Sequence, residues 1–132
     1  MENKIKHLEM LQGVINRLAN NSFLVKGWSI TLVSAFIALT ASNGNKLLIV
    51  AALFPTLMFW FLDAYFLRQE RLFRKLYDHT RVVEEKKIDF SMNTSEFNKE
   101  VVSWFEVAVS STLLMFYGTM SIAVLIAWLI LT

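Results

Sequence analysis

Few of the 132 residues in this chain are equipped for chemistry. Asp63 is the one ionisable group in an apolar run from Leu47 to Leu67. An acid within a membrane span is a functional candidate by default. It could line or gate a pore, or it could pair with Lys26 or reach headgroup water. By helix rise it lies about 7 Å from Arg68, the first member of a basic cluster completed by Arg71, Arg74 and Lys75. Pro55 is the only proline. Inside a helix it removes one hydrogen bond and bends the axis, so it joins Asp63 as a candidate for gating. His7 and His79 have no carboxylate pair at ligand spacing and read as solvated, interfacial imidazoles. The absence of cysteine excludes thiolate catalysis, disulfides and Cys-ligated metals. No phosphate-binding loop, dinucleotide fingerprint, His-Glu-x-x-His or nucleophile elbow occurs. The residues therefore predict no enzyme, no metal and no cofactor.

The elements that must position these groups are membrane helices. The chain is 55% hydrophobic with a mean hydropathy of +0.46, above the 45–50% apolar content usual for soluble domains. The excess falls in blocks, and the length allows one domain. The first 22 residues mix polar and apolar types and predict no cleavable signal peptide. Residues 1–21 place Ile5, Leu8, Leu11 or Gln12, Ile15 and Leu18 on one face of an amphipathic helix. That helix either packs on the protein's own cytosolic part or lies among headgroups. Asn20-Asn21-Ser22 has N-cap chemistry and predicts a break. A first span follows at 23–42, with Trp28 as an interface anchor. Thr31, Ala35, Ala38 and Ser42 give this span a small-residue face for close helix packing.

Ser42 to Asn45 predicts a tight turn into a second span at 46–67, whose cytoplasmic half is aromatic. Residues 68–106 predict a cytosolic helical hairpin. Its first arm continues the second span without a Gly or Pro, supported by Glu70–Arg74, Arg74–Asp78 and Asp78–Arg81 pairs. Its second arm starts at Asn93, which has capping-box spacing to Glu96, and carries Phe97, Val101, Trp104 and Phe105 inward. Residues 107–131 predict a third span, with Ser111 and Gly118 on a close-packing seam. Lys and Arg flank the N-terminal and middle segments, whereas Lys46 stands alone at the other end. The asymmetry places the N-terminus in the cytoplasm and the C-terminus outside, in a bacterial inner membrane. Net charge of +2 beside the spans is explained by retention and anionic-lipid contact rather than nucleic acid. The fold class is thus an all-α polytopic membrane protein: three transmembrane helices, an N-terminal amphipathic helix and a cytosolic helical hairpin. Spare small-residue faces predict a homo-oligomer.

The blocks NSFLVKGWSITLVSAFIALTA (21–41) and FPTLMFWFLDAYFLRQERLFRKLYD (54–78) look like those of small bacterial multi-span membrane proteins. More distantly, a hairpin of spans followed by a long cytosolic helix resembles the SLATT-type membrane effectors of antiphage conflict systems. The resemblance covers roughly residues 21–90 and rests on architecture and a few aromatic and charged positions. SLATT proteins typically have two spans, whereas this chain turns back toward the membrane at Trp104. The resemblance implies an effector that forms a pore or depolarises the membrane, silent until a partner or signal opens it. Three functions stay open on the residues. One is a gated oligomeric effector dependent on Asp63 and Pro55. Another is a membrane anchor whose basic segment, Arg68, Arg71, Arg74 and Lys75, contacts lipid or recruits a cytosolic protein. The third is a small transporter, disfavoured by spans holding one acid and mostly Ser and Thr otherwise.

Overall fold

The computed structural model describes residues 1–131. Two long antiparallel helices dominate it: α1 (Glu2–Asn43) and α2 (Lys46–Val82). Two single 3-10 turns, Glu85–Lys87 and Ser95–Phe97, lie in the return segment. A five-residue helix, α3 (Trp104–Ala108), then leads into α4 (Ser111–Leu131). No strand occurs among the described residues.

The turn between α1 and α2 is tight because Gly44 adopts φ 68°, in the left-handed region that glycine enters without a Cβ clash. Its amide closes on the Thr40 carbonyl at 2.7 Å. Asn45 then caps α2, its Oδ1 accepting from the Leu47 amide at 3.0 Å. α4 packs chiefly on α2 and more lightly on α1.

The break expected at Asn20-Asn21-Ser22 does not exist, and α1 runs through it for 42 residues, about 63 Å. Burial both before the site, at Leu11 and Ile15, and after it, at Ser29 and Val33, outweighs the weak helix preference of three residues. Ser22 does not cap a helix; its hydroxyl bonds across to α2. The amphipathic N-terminal part packs on the protein itself, with Leu11 joining Leu72, Leu76, Phe97 and Val101 in one apolar cluster.

The hairpin expected over 68–106 forms only in its first arm. α2 continues unbroken to Val82, but residues 98–103 are not helical. Arg68 explains why. Its guanidinium donates to the carbonyls of Val102 (3.1 Å) and Asn98 (3.4 Å), which a helix would pair with amides four residues on. Phe97 and Val101 still face the first arm, as expected, but from an irregular segment. The Asn93–Glu96 box does not start a long helix; the Asn93 side chain accepts from Ser95 instead.

The third apolar helix starts at Ser111 rather than at 107. Ser103 caps α3, and Ser110 supplies the carbonyl for the first bond of α4, so these two serines mark helix starts. Tryptophans pin α3 to α2: Trp60 Nε1 donates to Ala108 O at 2.8 Å, and Trp104 Nε1 to Phe61 O at 3.3 Å.

Three helices, α1, α2 and α4, are each long and apolar enough to cross a membrane. Only 17%, 33% and 28% of their most apolar windows are buried within the chain. The outward faces, with Phe54, Met115, Leu129 and Ile130 well exposed, therefore need apolar cover that one chain does not supply.

Candidate functional site

Asp63 sits at the crossing of all three apolar helices and is fully buried. An unpaired carboxylate there would be prohibitively costly, and three donors surround it. From α1, Lys26 Nζ approaches Oδ2 at 2.5 Å, and the Ser22 hydroxyl donates to Oδ1. From α4, the Tyr117 hydroxyl donates to Oδ2 at 2.9 Å. Ser22 and Lys26 are one helical turn apart, so both side chains leave α1 on the same face. They are also bonded to each other, Lys26 Nζ donating to Ser22 Oγ at 2.8 Å.

The surroundings fix these groups. The Tyr117 ring is fully buried and stacks on Trp60, centroids 5.8 Å apart and planes within 9°. Phe116 packs edge-on against Tyr117 and lies 5.9 Å beneath the Lys26 ammonium. Below the cluster Ser29 is buried, its hydroxyl 3.7 Å from Met120 Sδ. Asp63 is therefore a fully buried acceptor held by three donors. Chemically, the arrangement can do one thing well. It ties α1, α2 and α4 to one carboxylate, so loss of the Lys26–Asp63 ion pair would leave a buried charge without its counter-ion.

The remaining residues singled out in the sequence are not brought to this cluster. Pro55 is buried inside α2 without ending it, two turns away on the side of the Gly44 turn. Beside it the Thr56 hydroxyl returns a bond to the Ala52 carbonyl at 3.0 Å. Arg68 is committed to the 98–102 segment, and Arg74 to Glu70 at 3.1 Å. Arg71, Arg74 and Lys75 border a shallow cleft of about 310 Å³ shared with Asp78, Glu100, Val101 and Val102. Thr31, Ala35 and Ala38 are all exposed on the chain, and α1 turns Ser29, Val33 and Thr40 inward. Thr31 satisfies its hydroxyl on the Gly27 carbonyl of its own helix. Ser111 is exposed, and a Cβ added to Gly118 would meet nothing within 4 Å, so this seam too is open.

Lys26 was legible as a partner of Asp63 because it is the basic residue at the same end of the neighbouring span. Ser22 was masked by its cap-like context, and Tyr117 by lying in a uniformly apolar run. A hydroxyl in such a run was the available signal, since a buried Tyr O–H seeks a partner. Among the described residues no group of three or more His, Cys, Asp or Glu side chains could hold a metal ion. Comparison with protein-family models, curated proteins and solved structures finds no match for this chain.

Proposed function

We propose that this chain is a gated membrane effector: three helices cross a bacterial inner membrane, copies associate, and a trigger makes the assembly permeabilise or depolarise the membrane. The observation that carries the reading is the buried Lys26–Asp63–Tyr117–Ser22 cluster, one link that joins every apolar helix. Its depth suits a latch. Counted from the Gly44 turn, Asp63 and Lys26 each lie roughly 26 Å along their helices. That is just inside the far edge of a hydrocarbon core of about 30 Å. At that level the Lys26 side chain keeps 21% exposure, whereas Asp63 has none. With Lys46 at the outer turn and most other basic residues at the opposite end, the N-terminus is cytoplasmic and the end of α4 outside. The exposed Thr31, Ala35 and Ala38 face supports association between copies. Activation in antiphage defence rests on the resemblance of residues 21–90 to SLATT-type effectors alone.

The test is membrane potential and dye uptake in bacteria expressing the chain, alone and with the product of a neighbouring gene. Wild type alone stays polarised, and Asp63→Asn alone depolarises. An intact potential in every case refutes the effector reading.

A second reading is a non-catalytic anchor that recruits a cytosolic protein. It is favoured by the cleft edged by Arg71, Arg74 and Lys75, which is remote from the spans and carries charges of both signs. Charge reversal at Arg71 and Lys75 would then abolish co-purification of the partner while Asp63→Asn would not.

A further inference from the structure

The polar end of the molecule encloses a second site unrelated to the Asp63 cluster. The start of α1, the end of α2 and the 83–96 segment surround a cavity of about 170 Å³. Its inner wall holds His7, Leu76 and Thr80, all buried, and its rim carries His79, Lys87, Asp89, Asn93 and Glu96. His7 is only 2% exposed. Its Nε2 lies 2.9 Å from the Ser91 carbonyl. A carbonyl only accepts, so Nε2 carries the proton, and in the neutral ring Nδ1 is a bare lone pair. That Nδ1 is buried and has no partner within the protein. An unsatisfied buried acceptor costs about 1–3 kcal/mol, so its persistence beside a polar cavity points to a donor that the cavity admits.

The segment over it is shaped for the purpose. Phe90 takes φ 56°, an uncommon backbone conformation for a residue with a side chain. This places its ring against the His7 imidazole, centroids 5.6 Å apart, and Ser91 over Nε2. Asp89 Oδ1 fixes the bend by accepting from the Ser91 amide at 3.1 Å. The start of α1 is tied to the same segment by Glu85, whose carboxylate accepts from the Asn3 and Lys4 amides at 2.9 and 3.1 Å.

We infer that this cavity binds a small zwitterion of the amino-acid class. The molecule would donate a hydrogen bond to Nδ1, and an ammonium does so and suits a lining that also carries Asp89 and Glu96. It must balance Lys87 on the same rim, and a carboxylate does so. Neither a plain anion nor a plain cation meets a rim of both signs. The volume, about six waters at about 30 Å³ each, limits the ligand to roughly ten heavy atoms. The inference does not depend on the effector reading, because it stands on a different end of the molecule and is measured by binding.

The experiment is isothermal titration of the purified full chain in lipid nanodiscs with glycine, L-alanine, L-serine and L-glutamine. The N-acetyl and amide forms of any binder, and sodium acetate and phosphate, serve as controls. At least one amino acid binds saturably, both blocked forms bind at least 10-fold more weakly, and Lys87→Gln and Glu96→Gln each weaken binding by a similar factor. Both variants are on the exposed rim and leave the thermal transition unchanged, which separates loss of the site from loss of the fold. No binding by any of the four, binding that ignores the rim variants, or equal binding of acetate or phosphate overturns the inference.

Discussion

Replacing Lys26 by Met should be the most damaging single change to the apolar half of the molecule. It leaves the Asp63 carboxylate fully buried with two hydroxyl donors and no cation. Removing one partner of a buried pair costs about 3–5 kcal/mol. The lower end applies here, because the Lys26 side chain is 21% exposed and the site is partly wetted. We expect about 3 kcal/mol. Asp63→Asn should cost less, about 1–2 kcal/mol, because an amide keeps hydrogen bonds to neighbouring groups and the freed ammonium can extend toward water. Tyr117→Phe removes one hydrogen bond to a charged group and keeps the ring on Trp60, for about 1.5 kcal/mol. The double variant Lys26→Met with Asp63→Leu replaces the pair with apolar groups and should recover most of the loss. Reversible unfolding in mixed micelles, read as a double-mutant cycle, gives the coupling. A Lys26→Met cost no greater than that of Tyr117→Phe would refute the reasoning, since it would mean the carboxylate has other means of compensation.

Further outcomes concern the rest of the chain. The Glu85 carboxyl is held below its ordinary value of 4.5 by a hydrogen bond from the terminal amine and by the Lys4 and Asn3 amides. A carboxyl lowered on folding adds stability above its unfolded value and loses it as pH falls through the folded one. Glu85→Gln should therefore raise amide exchange at the start of α1 at pH 7 but make no difference well below pH 4. Ala35→Leu with Ala38→Leu, on an exposed face, should leave the unfolding free energy within about 0.5 kcal/mol and reduce cross-linking between copies in membranes. Unchanged cross-linking would exclude that face as the interface. Arg68→Ala should free the Asn98 and Val102 carbonyls and speed amide exchange over 97–103, whereas Lys75→Glu should not.

How much of this was legible in the sequence depended on the range of the interaction. The three apolar helices, the turn at Gly44 and the extension of α2 follow from composition and local chemistry. So does the inward side of Leu11 and Ile15, which recur at helical spacing. The unbroken α1 did not, because Asn20-Asn21-Ser22 is a good cap locally and is overruled by contacts with residues 40 or more positions away. The irregular return segment was hidden for the same reason: Arg68 read as a contact for lipid or a cytosolic partner, but it spends its donors on carbonyls about thirty residues on. Small residues were legible only in part. Spacing showed that Thr31, Ala35 and Ala38 share a face, but not that α1 would turn that face away from α2. His7 carried no local signal, since its burial depends on the 89–91 bend.

The central claim is that the Lys26–Asp63 pair holds a closed state, and ion flux from liposomes containing the purified protein tests it most directly. Wild-type protein should leave a potassium gradient intact, and Lys26→Met or Asp63→Asn, inserted to the same level, should dissipate it. Gradients that survive in both variants, or that wild type dissipates equally fast, would contradict the account.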